Sequence, residues 1–297
     1  MKILTIIVSY NFIPWADLCL GSLERSETPC DIMVIDNCST DGTVAYVKQA
    51  FPLVKLVENG ENLGFGRANN IGMSYALKNN YDAVLLLNQD AWIQPDTLRR
   101  LAEVSQHHLD YGIVSPVHLT RDGNKLEKGF SAYTGIGDLE HLSETEIVEV
   151  PFINAAIWFI RTDVLRRTGL FAPIFYHYGE DKDLANRMMF HHYKIGYLPS
   201  VFACHDRENR RMTKAHFFRS EYVYYLSEYA NVNYSFGKAF GLGVLAISKK
   251  IFISITKGKW NDAGAFIGIF FRLLMKTQEV AKTRKMSKSV DLKKYKL

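Results

Sequence analysis

Short apolar runs and amphipathic stretches alternate along the first hundred residues, and every apolar run stops at a cluster of small polar side chains. A strand that reads as an unbroken apolar run is buried on both faces, and its parallel neighbour is reached through a crossover, usually a helix. The alternation therefore predicts an α/β chain with a mostly parallel central sheet and flanking helices. Strands are expected at 2–8, 31–35, 53–57 and 83–87. Helices are expected at 14–25, around Val44 and Val47 with Ser39, Thr40 or Asp41 as cap, at 66–78, and from Pro95 to about His107. A short strand is expected at 112–116, then turns or hairpins over 118–150, where periodicity is weak. A strand at 154–161, a helix ending near Gly169, a helix at 180–192 and a strand at 195–204 complete this part.

The composition, 47% hydrophobic and 23% charged over 297 residues, excludes a disordered or collagen-like chain. Charge is unevenly spread: residues 237–297 carry 14 Lys and Arg against 3 Asp and Glu, a local net of +11, while the first 236 residues carry 22 against 28, a net of −6. Two units are expected, a nucleotide-binding and catalytic part at 1–212 and a basic, aromatic-rich helical part at 213–297. The apolar stretches 240–256 and 263–275 are broken by Lys249 with Lys250 and by Arg272, so neither is expected to cross a membrane, which needs ~20 apolar residues. Interfacial helices on an anionic membrane suit this mixture, as does an ordinary helical packing layer. The four cysteines form no C-x-x-C pair, and the chain does not open on a charged-then-apolar leader, which sets the expectation of a reduced, cytosolic setting.

Ligands of open parallel sheets gather at the carboxyl ends of the strands. Ser9-Tyr10-Asn11 follows the first strand, Asp36-Asn37 the second, Asn62 to Asn70 the third, and Asn88-Gln89-Asp90 the fourth. Each cluster alone reads equally as a turn or a cap; four in register point to a ligand. Nucleic-acid binding accounts for the basic tail but not for these clusters. The segment Gly64-Phe65-Gly66-Arg67 lacks the third glycine of a dinucleotide fingerprint, since Asn69 stands there, and it does not follow the first strand. It is either a glycine loop with a surface arginine or a close backbone approach to a phosphate or base. Asp90 ends an apolar strand, where a carboxylate has no packing purpose and suits a cation–diphosphate complex. His205 is either a structural imidazole or an added nitrogen ligand. Glu180, Asp181 and Asp183 open a helix, either as capping acids with Asp183 paired to Arg187, or as the seat of a general base whose basicity the helix N-terminus lowers.

Five ordered blocks carry a resemblance. Residues 5–11 (Thr-Ile-Ile-Val-Ser-Tyr-Asn), 34–43 (Val-Ile-Asp-Asn-Cys-Ser-Thr-Asp-Gly-Thr), 62–72 (Asn-Leu-Gly-Phe-Gly-Arg-Ala-Asn-Asn-Ile-Gly), 85–90 (Leu-Leu-Leu-Asn-Gln-Asp) and 178–184 (Tyr-Gly-Glu-Asp-Lys-Asp-Leu) resemble the motifs of family 2 glycosyltransferases of GT-A fold. The similarity is strongest to bacterial rhamnosyltransferase-like enzymes of surface polysaccharide assembly and covers about residues 3–206. The resemblance implies a metal-dependent, inverting hexosyltransferase. It would move rhamnose or another hexose from a nucleoside-diphosphate sugar to a glycan or lipid-linked acceptor, at the inner face of the cell membrane. It places Ser9, Tyr10, Asn11, Asp36, Asn62, Arg67, Asn69, Gln89 and Asp90 around the donor. It makes Asp181 the base with Glu180 beside it, and sets Asp183 on the acceptor side. Asp90 and His205 would hold a divalent cation, Mn²⁺ or Mg²⁺, although Asn88 replaces the first acid of the D-x-D element. A nucleotidyltransferase is the main rival and is disfavoured because no glycine follows the first strand; a nucleotide-sugar-binding scaffold would lack the acids at 90 and 181.

Overall fold

The computed structural model describes residues 1–207, 213–289 and 292. The chain runs β1 (Ile3–Ser9), α1 (Ala16–Glu24), β2 (Asp31–Asp36), α2 (Thr43–Ala50), β3 (Lys55–Glu58), α3 (Phe65–Lys78), β4 (Ala83–Leu87), β5 (Ala91–Ile93), α4 (Thr97–His107) and β6 (Tyr111–Leu119). It continues through α5 (Lys128–Thr134), β7 (Val148–Glu149), β8 (Ile157–Arg161), α6 (Thr162–Thr168), α7 (Glu180–Phe190) and β9 (Lys194–His205). Four further helices follow: α8 (Lys214–Ala230), α9 (Phe236–Thr256), α10 (Trp260–Met275) and α11 (Thr277–Lys288).

The strands form one nine-stranded sheet in the order β3-β2-β1-β4-β8-β6-β9-β5, with β7 paired to β9. The β3-β2-β1-β4 half is parallel throughout, whereas β8 runs antiparallel to β4 and β6, and β5 and β7 antiparallel to β9. The sheet is thus mixed: β6 and β9 form a further parallel pair within its otherwise antiparallel half. Side chains alternate between two cores as the pleat requires: Leu4 and Ile6 of β1 pack on the face covered by α3, α6 and α7, and Ile3 and Ile7 on the face covered by α1, α2 and α4. At Gly72 a Cβ would stand 2.7 Å from the Ile6 side chain, so α3 lies directly on β1.

Several boundaries differ from the sequence reading for local reasons. Gly42, at φ +90°, occupies the N-cap position of α2, while Asp41 accepts the Thr43 N–H at 3.0 Å. Pro95 precedes the Asp96 cap of α4 rather than sitting in its first turn. The strand expected to stop at residue 116 runs to Leu119, with a register shift between Pro116 and Val117 that lets the proline remain in a central strand.

The C-terminal helices pack on the sheet unit instead of standing apart. Ala172 and Phe175, from the segment before α7, share a core with Tyr225, Leu226, Ile247 and Phe266, and Met286 of α11 belongs to a core of the sheet. Arg284, 4% exposed, donates to the carbonyls of Tyr229, Asn231 and Tyr234 and so closes the end of α8. The boundary expected at residue 212 lies outside the described residues. Helix α9 corrects one expectation: at 21 residues and a mean hydropathy of 1.6 in its best window, it is long and apolar enough to cross a membrane by length and composition. Lys250 does not interrupt it, because its ammonium turns toward α8 and meets Glu221 at 3.3 Å.

Candidate active site

The carboxyl ends of β1, β2 and β4 are laced together by their own polar residues. Ser9 Oγ donates to Asp36 Oδ1 at 2.9 Å, and Ser39 donates to the same carboxylate through its backbone N–H and its hydroxyl at 2.8 and 2.5 Å. Gln89 accepts the Tyr10 N–H at 2.7 Å and returns a bond to the Tyr10 carbonyl at 3.1 Å. Asn11 sits at φ +53°, and its side-chain oxygen accepts the Thr40 N–H at 3.0 Å. Asp36 is thereby held at 2% exposure, while Tyr10 stays 47% exposed at the rim, suited to stacking on a flat ring.

The loop before α3 closes a second side of this region. Asn62 Oδ1 accepts the Gly64 N–H at 2.9 Å, and the Asn62 carbonyl accepts the Tyr176 hydroxyl at 2.9 Å. Gly64, at φ +78°, admits no side chain, since a Cβ there would fall 2.0 Å from the Tyr176 carbonyl oxygen. Arg67 reaches the Pro173 carbonyl at 3.5 Å. Asn69 departs from the donor-side expectation: it is 2% exposed and donates to the Phe65 carbonyl at 3.0 Å, within its own helix. Asn37, part of the second strand-end cluster but not assigned to the donor site, is a hub, bonded to Asn59 at 2.9 Å and to Leu63 and Gly64 at 3.4 Å. Its place in the second block was the available signal.

Asp90 and His205 are neighbours because β5 pairs with β9, Ala91 standing opposite His205. His205 Nε2 lies 3.4 Å from Asp90 Oδ1 and 3.3 Å from Asn88 Nδ2, and the Asp90 carbonyl accepts the Asp206 N–H at 2.8 Å. One carboxylate oxygen and one imidazole nitrogen at this separation make a donor set fitting Mn²⁺ or a related divalent ion.

Asp181 reaches the same sheet edge from the other direction. Tyr178 at φ +69° and Gly179 at φ +90° turn the chain sharply into α7. The half-buried Asp181 carboxylate then accepts the backbone N–H groups of Lys182, at 2.7 Å, and of Ala155. The adjacent Ala156 carbonyl accepts the Asn88 N–H at 2.8 Å. Asp181 and the Asn88-Gln89-Asp90 segment are thus tied to consecutive residues of one strand approach.

Burial raises the Asp181 carboxyl above the usual aspartate range, against the pull of the backbone N–H groups and the charge of Arg207. The helix N-terminus was expected to lower its basicity; desolvation outweighs it. Glu180, 3% exposed beneath Gly66, is pushed up to about 8 by burial and then by the charge of Asp181. A proton is therefore held on Glu180 near neutral pH. Asp183, expected on the acceptor side, is buried in an ion pair. Its carboxylate, 2% exposed, pairs with fully buried Arg187 at 2.9 Å, and Arg187 donates to the carbonyls of Thr168 and Leu170 at 2.6 Å.

Comparison with known proteins identifies the family and the fold. A family model described as Glycosyl transferase family 2 matches residues 5–169. An N-acetylglucosaminyl-diphospho-decaprenol L-rhamnosyltransferase of Mycobacterium tuberculosis is 25% identical over 231 residues, covering 68% of this chain and 75% of the relative. An undecaprenyl-phosphate mannosyltransferase of Micrococcus luteus is 33% identical over 106 residues, which span 35% of this chain and less than half, 44%, of that relative. The mannosyltransferase PcManGT of Pyrobaculum calidifontis, solved with GDP-Man and Mn²⁺, superposes with a TM-score of 0.57 at 17% identity over 98% of this chain and 87% of its own. With its mixed sheet, its polar strand ends and a family match over more than half its length, the chain belongs to glycosyl transferase family 2 and has the GT-A type of fold.

Proposed function

We propose that this protein transfers a hexose, with inversion, from a nucleoside-diphosphate sugar to a hydroxyl of a lipid-linked or polysaccharide acceptor. The observation that carries the reading is the convergence of Asp181 and the Asp90–His205 pair on one sheet edge, through Ala155, Ala156 and Asn88. Ser9, Tyr10, Asn11, Asp36 and Gln89 border the base and ribose, with Asn62 and Arg67 on the loop opposite. A divalent cation held by Asp90 and His205 would neutralise charge on the departing diphosphate. Asp181 takes the proton of the attacking hydroxyl as the new bond forms, and its raised basicity suits that role. Protonated Glu180 adds no second negative charge beside it. Attack opposite the leaving group in a single displacement inverts the anomeric centre. The relatives named above support a polyprenyl-linked acceptor, and a GDP-sugar with Mn²⁺ bound to the structural neighbour supports the donor class.

The apolar surface of α9 and α10 supports a seat on the membrane. Leu245, Phe252, Trp260 and Phe271 are 68%, 67%, 68% and 57% exposed. Helices with this surface and the flanking lysines lie in the headgroup boundary, which brings the cleft to a lipid-anchored acceptor at the cytoplasmic face.

Asp181→Asn tests the assignment. Donor affinity is expected to stay near wild type while transfer falls by ~10²–10⁴, the usual loss of a general base. Near-normal turnover, or a product that keeps the donor's anomeric configuration by NMR, overturns the mechanism.

A further inference from the structure

Behind the Asp90–His205 pair lies a second cluster of ligand-type atoms. His118 of β6, Glu127 at the cap of α5 and His205 of β9 are 0%, 4% and 0% exposed, and one ligand atom from each lies within 4.8 Å of the others. Ser115 Oγ lies 2.8 Å from the Ile157 carbonyl, 3.2 Å from the Pro116 carbonyl and 3.0 Å from His118 Nε2. With the hydroxyl donating to the Ile157 carbonyl, His118 Nε2 carries the ring proton and Nδ1 presents its lone pair. That Nδ1 and the Nδ1 of His205 are both buried with no hydrogen-bond partner among the described residues. Glu127 Oε2 accepts the Phe130 N–H at 2.8 Å, and its carboxylate forms no ion pair among the described residues.

Two buried imidazole nitrogens left without a hydrogen bond beside a buried carboxylate are unsatisfied polar groups that a cation between them would satisfy. We infer that His118, Glu127 and His205 form a buried divalent-cation site, two imidazole nitrogens and one carboxylate oxygen, of the chemistry that suits Zn²⁺. Tetrahedral Zn²⁺ takes such ligands at ~2.0–2.2 Å, so modest side-chain rotation closes the cluster onto the ion. This site is separate from the one at Asp90 but shares His205. A neutral imidazole has one lone pair to give: with Nδ1 on the interior ion, the ring proton sits on Nε2, which faces Asp90 at 3.4 Å, and the Asn88 amide 3.3 Å away then turns its oxygen toward that proton. His205 then donates to Asp90 instead of binding the cation that accompanies the donor. This consequence rests on the proposed role of His205 at the donor cation; the interior site does not.

The full-length protein, incubated with ZnCl₂ and desalted, is expected to retain one zinc per chain by elemental analysis. Asp90→Asn is expected to retain it as well, whereas His118→Gln and Glu127→Gln lose it. Wild-type protein without stoichiometric zinc, or zinc lost in Asp90→Asn and kept in His118→Gln, overturns the site. Should the interior variants fail to fold, X-ray absorption at the zinc edge of wild-type protein decides: two imidazole scatterers support the site, and none or one overturns it. Zinc loading is further expected to weaken Mn²⁺ binding, followed by electron paramagnetic resonance, about tenfold. Unchanged Mn²⁺ affinity in zinc-loaded protein removes His205 from the donor cation while leaving the interior site in place.

Discussion

The carboxyl edge of the sheet and the outer surface of α9 and α10 handle their side chains in opposite ways. At the sheet edge, polar groups bond to one another before any ligand arrives: Ser9 to Asp36, Tyr10 to Gln89, Asn37 to Gly64. On the helical layer, large apolar groups such as Leu245 and Phe252 stay 68% and 67% exposed. The first region is preorganised, so a donor meets groups already in place. The second is unfinished, and contiguous exposed apolar surface of this kind marks a contact with something outside the molecule. The contrast separates a region preorganised for a ligand from one left open to an outside contact.

The largest effect is expected at the buried bracing of the sheet edge. Asp183→Ala leaves the Arg187 guanidinium without its carboxylate inside the protein, a change that costs about 3–5 kcal/mol. Urea unfolding measures it as a lower midpoint with an unchanged slope. Unaltered stability together with a raised acceptor KM would return Asp183 to the acceptor side and erase the distinction drawn here.

Next comes the helical layer. Leu245→Glu with Phe252→Glu is expected to leave folding stability nearly unchanged, because both positions are exposed. Sedimentation with anionic liposomes at low salt is expected to drop more than tenfold, since each apolar side chain contributes ~1.5–3 kcal/mol when it leaves water. Equal sedimentation of variant and wild type would make α9 a packing layer only.

A pH-dependent effect lies at Glu180. Its carboxyl moves from 4.5 to about 8 in the folded protein, so between those values the native state holds a proton that the unfolded chain has released. Stability should therefore fall as pH rises from about 4.5 to about 8 and level off above. Glu180→Gln should flatten that fall. A Tm that varies with pH in the same way in both proteins would show that Glu180 ionises freely.

Much of the sheet edge was legible because its determinants are local. Unbroken apolar runs gave β1, β2 and β4, and the residues that stop those runs necessarily sit at the strand ends. Strand β5 was not legible: three residues, Ala91–Ile93, carry no measurable period, and only pairing with β9 makes them a strand. Asn69 and Asp183 fall within the recognised blocks, yet helical phase turns both inward. For α9, the lysines suggested an interruption because a sequence does not show that Lys250 is met by Glu221 from another helix.

The sequence by itself determined the alternation of strands and helices, the polar strand ends, the family blocks and the reversal of charge along the chain, since each depends on side-chain type and spacing within a few residues. Only the tertiary structure decided that Asp181 and Asp90 share an edge, that burial rather than the helix N-terminus sets the basicity of Asp181, and that His118 and Glu127 stand behind His205. These depend on distances and dehydration between segments far apart in sequence, and those quantities exist only once the chain has closed on itself.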